Sequence, residues 1–365
     1  MDENKGHKSY SERMGEGLRK YHTRLKPLVD ELRSTSPIVV DDVRIEFEPD
    51  PFERPVPHTI ANMDPESGEV VSYTDFQKEI IIYAPSFIRA MEVASLIISS
   101  LSVIQGDISL NEEDFNLVPS DLEERREIFR GMLTEEGLPY GFGGLSTSRL
   151  VEACELALLA ITDTELAYAL HKFQNSVKGY SIPFIETHPG HCYEIYGYSE
   201  YPVMQTTFAT SLINAYSVIE ELSLEPRVEK GASACDALGQ LKSKVRDELH
   251  QRLVYSGIDP DVPFFWIRHE DFLKLEQIRP LPTLFVYIEY KHVGRVDADL
   301  DLCDAIAYAS WLRSNVCSHK SVRSENRIQY LTGYDVENVQ RLARRLVLEK
   351  AGIWHRMHLP PGRRD

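Results

Sequence analysis

The sequence predicts a small α+β unit followed by a mainly helical bundle, and three observations predict it. Near residue 45, apolar residues alternate with charged ones, the period of a half-buried strand. Beyond residue 147 they recur every three or four positions, the period of an amphipathic helix. Between the two lies a glycine-rich stretch, residues 137–146 (GLPYGFGGLS), which reads as a joint. The expected domains are residues 1–140, a small α+β domain, and residues 147–365, a helical domain with an irregular insertion at about 255–298.

Residues 10–33 (YSERMGEGLRKYHTRLKPLVDELR) read as a helix kinked at Pro27. Val43, Ile45 and Phe47 alternate with Arg44, Glu46 and Glu48 and predict a strand. Residues 49–58 contain Pro49, Pro51, Pro55 and Pro57 and predict an extended loop. The turn signal Asp64-Pro-Glu-Ser-Gly68 falls between two short strands. Residues 79–83 (EIIIY) predict another strand, ended by Pro85 and followed by a helix over 86–104.

In the second half, residues 147–178 predict one or two helices. Met204, Phe208, Leu212, Tyr216 and Ile219 mark one stripe of a long helix, and the pattern continues over 231–254. Residues 284–288 (LFVYI) are a strand or a buried helix. Two further helices are expected, from Asp299 to about Val316 and from Asp335 to Lys350.

Bulk properties narrow the class. A chain of 365 residues, 42% hydrophobic and 27% charged, has the balance of a globular protein. No apolar run reaches the ~18 residues of a membrane span. The most apolar stretch, residues 93–104 (VASLIISSLSVI), reads as a buried helix. A polar N-terminus without a signal-peptide core leads to an expectation of the cytoplasm and no membrane association. Cys154, Cys192, Cys235, Cys303 and Cys317 are scattered and odd in number, which argues against a disulfide framework.

The net charge of −17 argues against nucleic acid, but its distribution does not. Residues 310–365 hold eleven Lys/Arg against five Asp/Glu, a net +6, leaving −23 on the other 309 residues. A basic segment on an acidic body suits a localised anionic ligand; the plainer reading is a solvated helix face.

That segment begins with the chemistry. In residues 305–319 (AIAYASWLRSNVCSH), Arg313 and His319 are separated by five residues. A histidine of ordinary pKa ~6.5 exchanges protons with a ribose 2′-hydroxyl or a leaving oxygen near neutral pH. An arginine offers a charged planar fork to phosphate oxygens in the transition state. Two or three such spacings arise by chance in a chain with twelve histidines; this one stands alone, and its context carries the weight. On a continuous helix at ~100° per residue, Arg313, Ile306 and Leu302 point within ~20° of one direction. An arginine on an apolar stripe needs a partner, such as Glu220 or Glu221. His319 would then lie ~120° away, so the pair converges only if the helix ends or bends near residues 316–318. Downstream, Arg341, Arg344 and Arg345 share one helix face that could hold a phosphate backbone, with Lys320 as a further contact.

Residues 200–352 resemble the HEPN ribonucleases, helical bundles with an Arg-x4–6-His motif late in the domain. Residues 209–222 (ATSLINAYSVIEEL) look like the first conserved helix of that fold. The resemblance implies a metal-independent endoribonuclease, without cofactor, with its active site at a homodimer interface, acting as a toxin or antiviral defence effector. Arg313 and His319 match the catalytic pair. Many members place a polar Asn, Asp or His directly after the arginine; here Ser314 stands there and Asn315 follows, so either is a candidate helper. RNA is the expected substrate, and residues 1–140 are open to a regulatory partner.

Other chemistries have weaker signals. His188-Pro-Gly-His191-Cys192 and His269-Glu270-Asp271 lack a second Cys/His pair at zinc spacing, so no metal site is expected. The alternative function is a non-catalytic helical scaffold that binds a protein or nucleic acid through the basic C-terminal face.

Overall fold

The computed structural model describes residues 18–23, 28–29, 37–49, 60–63, 70–73, 76–106, 117–119, 147–180, 202–229, 232–236, 241–269, 287–290, 295–317 and 331–356. The chain divides into two compact units, residues 1–101 with 109–162 and residues 102–108 with 163–365. The division falls after Thr162, so the helix expected to open the second domain belongs with the first. The glycine-rich stretch at 137–146 lies outside the described residues.

The first unit is built on an antiparallel sheet centred on β7 (Phe76–Ala84). Its strand order is β3 (Ile38–Val40), β4 (Val43–Pro49), β7, β1 (Arg19–Thr23), β8 (Leu117–Pro119), with β2 (Leu28–Val29) also on β7. Successive side chains of a strand point to opposite faces. Ile80, Ile81 and Ile82 are all fully buried, so both faces of β7 are covered. Val43 and Ile45 of β4 are buried as the period of two requires, and Ile45 pairs with Ile82. Asp41 turns β3 into β4 with a left-handed φ of 50°, a conformation Asp accepts more readily than most residues.

One expectation is overturned here. Residues 19–23 are not helical; Tyr21 pairs with Ile82 on one side and Pro119 on the other. Strand pairing with distant partners overrides the local helical pattern, because β7 needs a neighbour along its second edge. A two-stranded ribbon, β5 (Ile60–Met63) with β6 (Val70–Tyr73), flanks the turn signal at 64–68, which lies outside the described residues.

Helix α1 (Phe87–Gln105) starts where Ser86 Oγ accepts the Arg89 amide at 3.2 Å, a serine N-cap. Over Phe87–Ile104 it is long and apolar enough to cross a membrane, yet 67% of that stretch is buried in protein. Val93, Ile97, Leu101 and Ile104 form its core face, as a buried helix requires. Helix α2 (Thr147–Thr162) completes the described part of this unit.

Helices dominate the second unit: α3 (Thr164–Gly179), α4 (Pro202–Glu221), α5 (Ser243–Tyr255), α6 (Leu302–Leu312) and α7 (Gly333–Lys350). Asp163 caps α3 through the Leu166 amide. Thr332 and Asp335 cap α7 reciprocally, a capping box. Helix α3 packs against α4, and α7 packs on both. The α3–α4 approach is close: a Cβ on Gly179 would stand 2.4 Å from Ser211 Oγ. Ser176 Oγ donates to the Ser211 carbonyl at 2.7 Å, and Gln340 of α7 donates to Ser176 Oγ at 3.0 Å. This buried polar chain ties the three helices in one register.

The segment at 255–298 is more regular than expected. It contributes β9 (Phe264–His269), β10 (Tyr287–Tyr290) and β11 (Arg295–Leu300), an antiparallel sheet in the order β10-β11-β9. Trp266 of β9 meets Tyr308 of α6 edge-on at 4.8 Å, and Tyr308 stacks on Trp311 at 6.0 Å. The helix predicted over 231–254 is confined to Ser243–Tyr255, after a bridge between Cys235 and Leu241. The helix expected from Asp299 instead starts at Leu302, because Asp301 is its N-cap and accepts the Asp304 amide at 2.8 Å.

Candidate functional site

Helix α6 is apolar nearly all round, with Leu302, Cys303, Ala305, Ile306, Ala307, Tyr308, Ala309 and Leu312 buried. It ends in a π-helical turn, Arg313–Cys317. Such turns carry i→i+5 bonds, widen the helix and change where the following side chains point. Arg313 is the first residue of this turn and keeps helical dihedrals, so its exposure comes from its place at the helix end. Ile306 and Leu302 are fully buried, whereas the Arg313 side chain keeps 41% of its exposure. Arg313 is therefore not part of a sealed apolar stripe.

Two residues of α4 receive it. Arg313 Nη2 stands 3.5 Å from Glu220 Oε1, and its guanidinium lies 5.9 Å from the centre of the Tyr216 ring. Tyr216 and Glu220 are four residues apart and so share one helix face. The Tyr216 phenol is pushed up to about 12. Burial is the main cause, and Glu220 and Glu225 add to it, while a hydrogen bond with Ser310 and the Arg313 charge act against it. The phenol is neutral near pH 7 and offers Arg313 an electron-rich face.

The end of α4 explains why cations gather there. Its last turn holds no basic residue and closes on Glu220 and Glu221, negative charge at the negative end of the helix dipole. Lys172 of α3 pairs with Glu221, and Arg252 of α5 donates to the carbonyls of Ser223 and Glu225, the latter at 2.7 Å. Arg313 supplies the cation beside Glu220. Glu220 stood among the expected partners of Arg313; Tyr216 was read only as a core residue, although its i,i+4 spacing from Glu220 is the signal that joins them.

Of the other expected site residues, Ser314 and Asn315 lie in the same π-turn as Arg313. His319 and Lys320 lie outside the described residues, as do His188, His191 and Cys192. Among the described residues no group of three His, Cys, Asp or Glu side chains could hold a metal ion.

The expected basic face of α7 needs correction. Arg341, Arg344 and Arg345 share a face, but Arg345 is buried and Arg341 and Arg344 are half-buried against the chain itself. Arg345 is 3% exposed; its Nε donates to Glu349 at 2.7 Å and its Nη1 to the Pro263 carbonyl at 2.9 Å. Arg344 donates to the carbonyls of Val103 and Ile104 at 2.7 and 2.6 Å, where the last turn of α1 leaves its acceptors unfilled. Arg341 lies 5.5 Å over the Phe264 ring. Arg344 and Arg345 are thus committed to carbonyls and a carboxylate of the chain itself. Glu349, four residues after Arg345, was the available signal for this arrangement.

No family model matches the chain, and neither a curated protein nor a solved structure matches it.

Proposed function

We propose that the chain is a metal-independent endoribonuclease of HEPN type, in which Arg313 holds the scissile phosphate and His319 moves the proton. The observation that carries this reading is the part-exposed Arg313 guanidinium at the end of an otherwise buried helix, where a π-turn begins within the Arg-x5-His stretch. In the proposed step the ribose 2′-hydroxyl loses its proton and attacks phosphorus, and the phosphorus–O5′ bond breaks. The 5′-oxygen takes up a proton, leaving a 2′,3′-cyclic phosphate and a 5′-hydroxyl. The guanidinium balances the charge that builds on the non-bridging oxygens. Ser314 or Asn315 would assist. The homodimer enters through the resemblance alone; Ile306, on one helical face with Arg313, is buried within the chain.

A second reading has its own observation. The Arg313–Glu220 pair neutralises the acidic end of α4, as expected of a non-catalytic scaffold. The deciding experiment is incubation of the purified chain with mixed RNAs in EDTA, beside the His319→Ala variant. The nuclease reading expects cleavage that this variant loses by ~10²–10⁴-fold. Cleavage that EDTA abolishes, or that survives intact in His319→Ala, refutes it.

A further inference from the structure

The pair between Arg313 and Glu220 differs in kind from the buried arginine–carboxylate pair of α7, and it is longer than the part-exposed pair of Arg246 with Asp304, at 2.8 Å. Arg345 and Glu349 are 3% and 4% exposed and sealed in the core. Arg313 and Glu220 are 41% and 37% exposed and meet through a 3.5 Å approach. An ion pair open to water is held weakly and exchanges with other anions. We propose that Glu220 is a latch on Arg313: its carboxylate occupies the position a phosphodiester takes, so RNA binding requires the two anions to exchange. This rests on the reading of Arg313 as the phosphate-binding group.

Three features support it. The Arg313 guanidinium has two neighbours on α4, the Tyr216 ring with its centre at 5.9 Å and Glu220 at 3.5 Å, so in the exchange Tyr216 stays beside it while the carboxylate leaves. Glu220 is at the C-terminal end of α4, where the helix dipole disfavours a lone anion and so favours the closed pair with Arg313 in the absence of RNA. The adjacent Glu221 is paired with Lys172, which leaves Glu220 as the carboxylate opposed to Arg313 across this contact.

Glu221 also provides a control, since Glu221→Gln removes the same charge one residue away. The experiment measures binding of a fluorescent 2′-O-methyl RNA dodecamer, which lacks the attacking hydroxyl, to the full chain at fixed salt. Glu220→Gln should lower Kd about two- to fivefold relative to wild type, the range expected from removing one exposed pairing competitor. Glu221→Gln should change it less, and the gain should vanish when Arg313→Ala is added to Glu220→Gln. Equal effects of Glu220→Gln and Glu221→Gln overturn the latch. A gain that persists without Arg313 overturns it too, as does failure of both wild type and Glu220→Gln to bind. Thermal melting confirms folding, and Glu220→Ala serves as the second variant. Cleavage of ordinary RNA is read separately: a Glu220→Gln protein that binds more tightly but cuts nothing keeps the latch and removes the nuclease.

Discussion

The last helix and the π-turn that closes α6 both carry arginines, and the two regions put them to opposite uses. In α7, Arg344 and Arg345 point inward and fill acceptors that other segments leave open: the last turn of α1, the carbonyls before β9, and Glu349. In the π-turn, Arg313 keeps one side to solvent and meets a carboxylate that is itself part-exposed. The difference teaches that sequence spacing can say which arginines share a face, but the environment of that face decides whether it holds the fold or a ligand.

The comparison breaks first at Arg345. Replacing it with Ala leaves Glu349 buried without its cation, so the chain should lose about 3–5 kcal/mol of stability in chemical denaturation. Replacing Arg341, Arg344 and Arg345 together with Ala should therefore unfold the bundle rather than only weaken RNA binding. A triple variant that melts like wild type would mean these side chains are not structural.

Arg344 tests the same point more mildly. Its Ala variant strands two carbonyls at the end of α1 and should cost about 1–3 kcal/mol. Hydrogen exchange should show the loss concentrated in the amides of residues 102–106. At the other extreme, Arg313→Ala should lower stability by about 1 kcal/mol or less, because an exposed pair contributes little. A loss as large as that of Arg345→Ala would favour the scaffold reading.

Much of the fold was legible because its signals are local. The alternation of Val43 and Ile45 predicted β4, and the stripe of Phe208, Leu212, Tyr216 and Ile219 predicted α4. The last helix was expected from Asp335, and the Thr332 cap sets its start at Gly333. What was not legible depends on distant partners. The strand β1 pairs with the distant β7, and β9 pairs with β11 about thirty residues further on. The backbone carbonyls that accept Arg344 and Arg345 leave no trace in composition or spacing. The site was half legible: the pairing of Arg313 with Glu220 follows from charge near an apolar helix. The π-turn that begins at Arg313 does not, since no residue type specifies it.

The most direct measurement replaces each of the two arginines with lysine and follows RNA cleavage in EDTA alongside thermal melting. Lysine keeps the charge and loses the planar fork. Arg313→Lys should melt close to wild type and cut RNA about 10²-fold more slowly or worse, the order of losing one transition-state donor. Arg345→Lys should show a lower melting temperature and, at temperatures where it is folded, near-normal cleavage. Wild-type cleavage rates in Arg313→Lys, or no cleavage of RNA by the wild-type chain at all, would contradict the assignment of Arg313 as the phosphate-binding group of a ribonuclease.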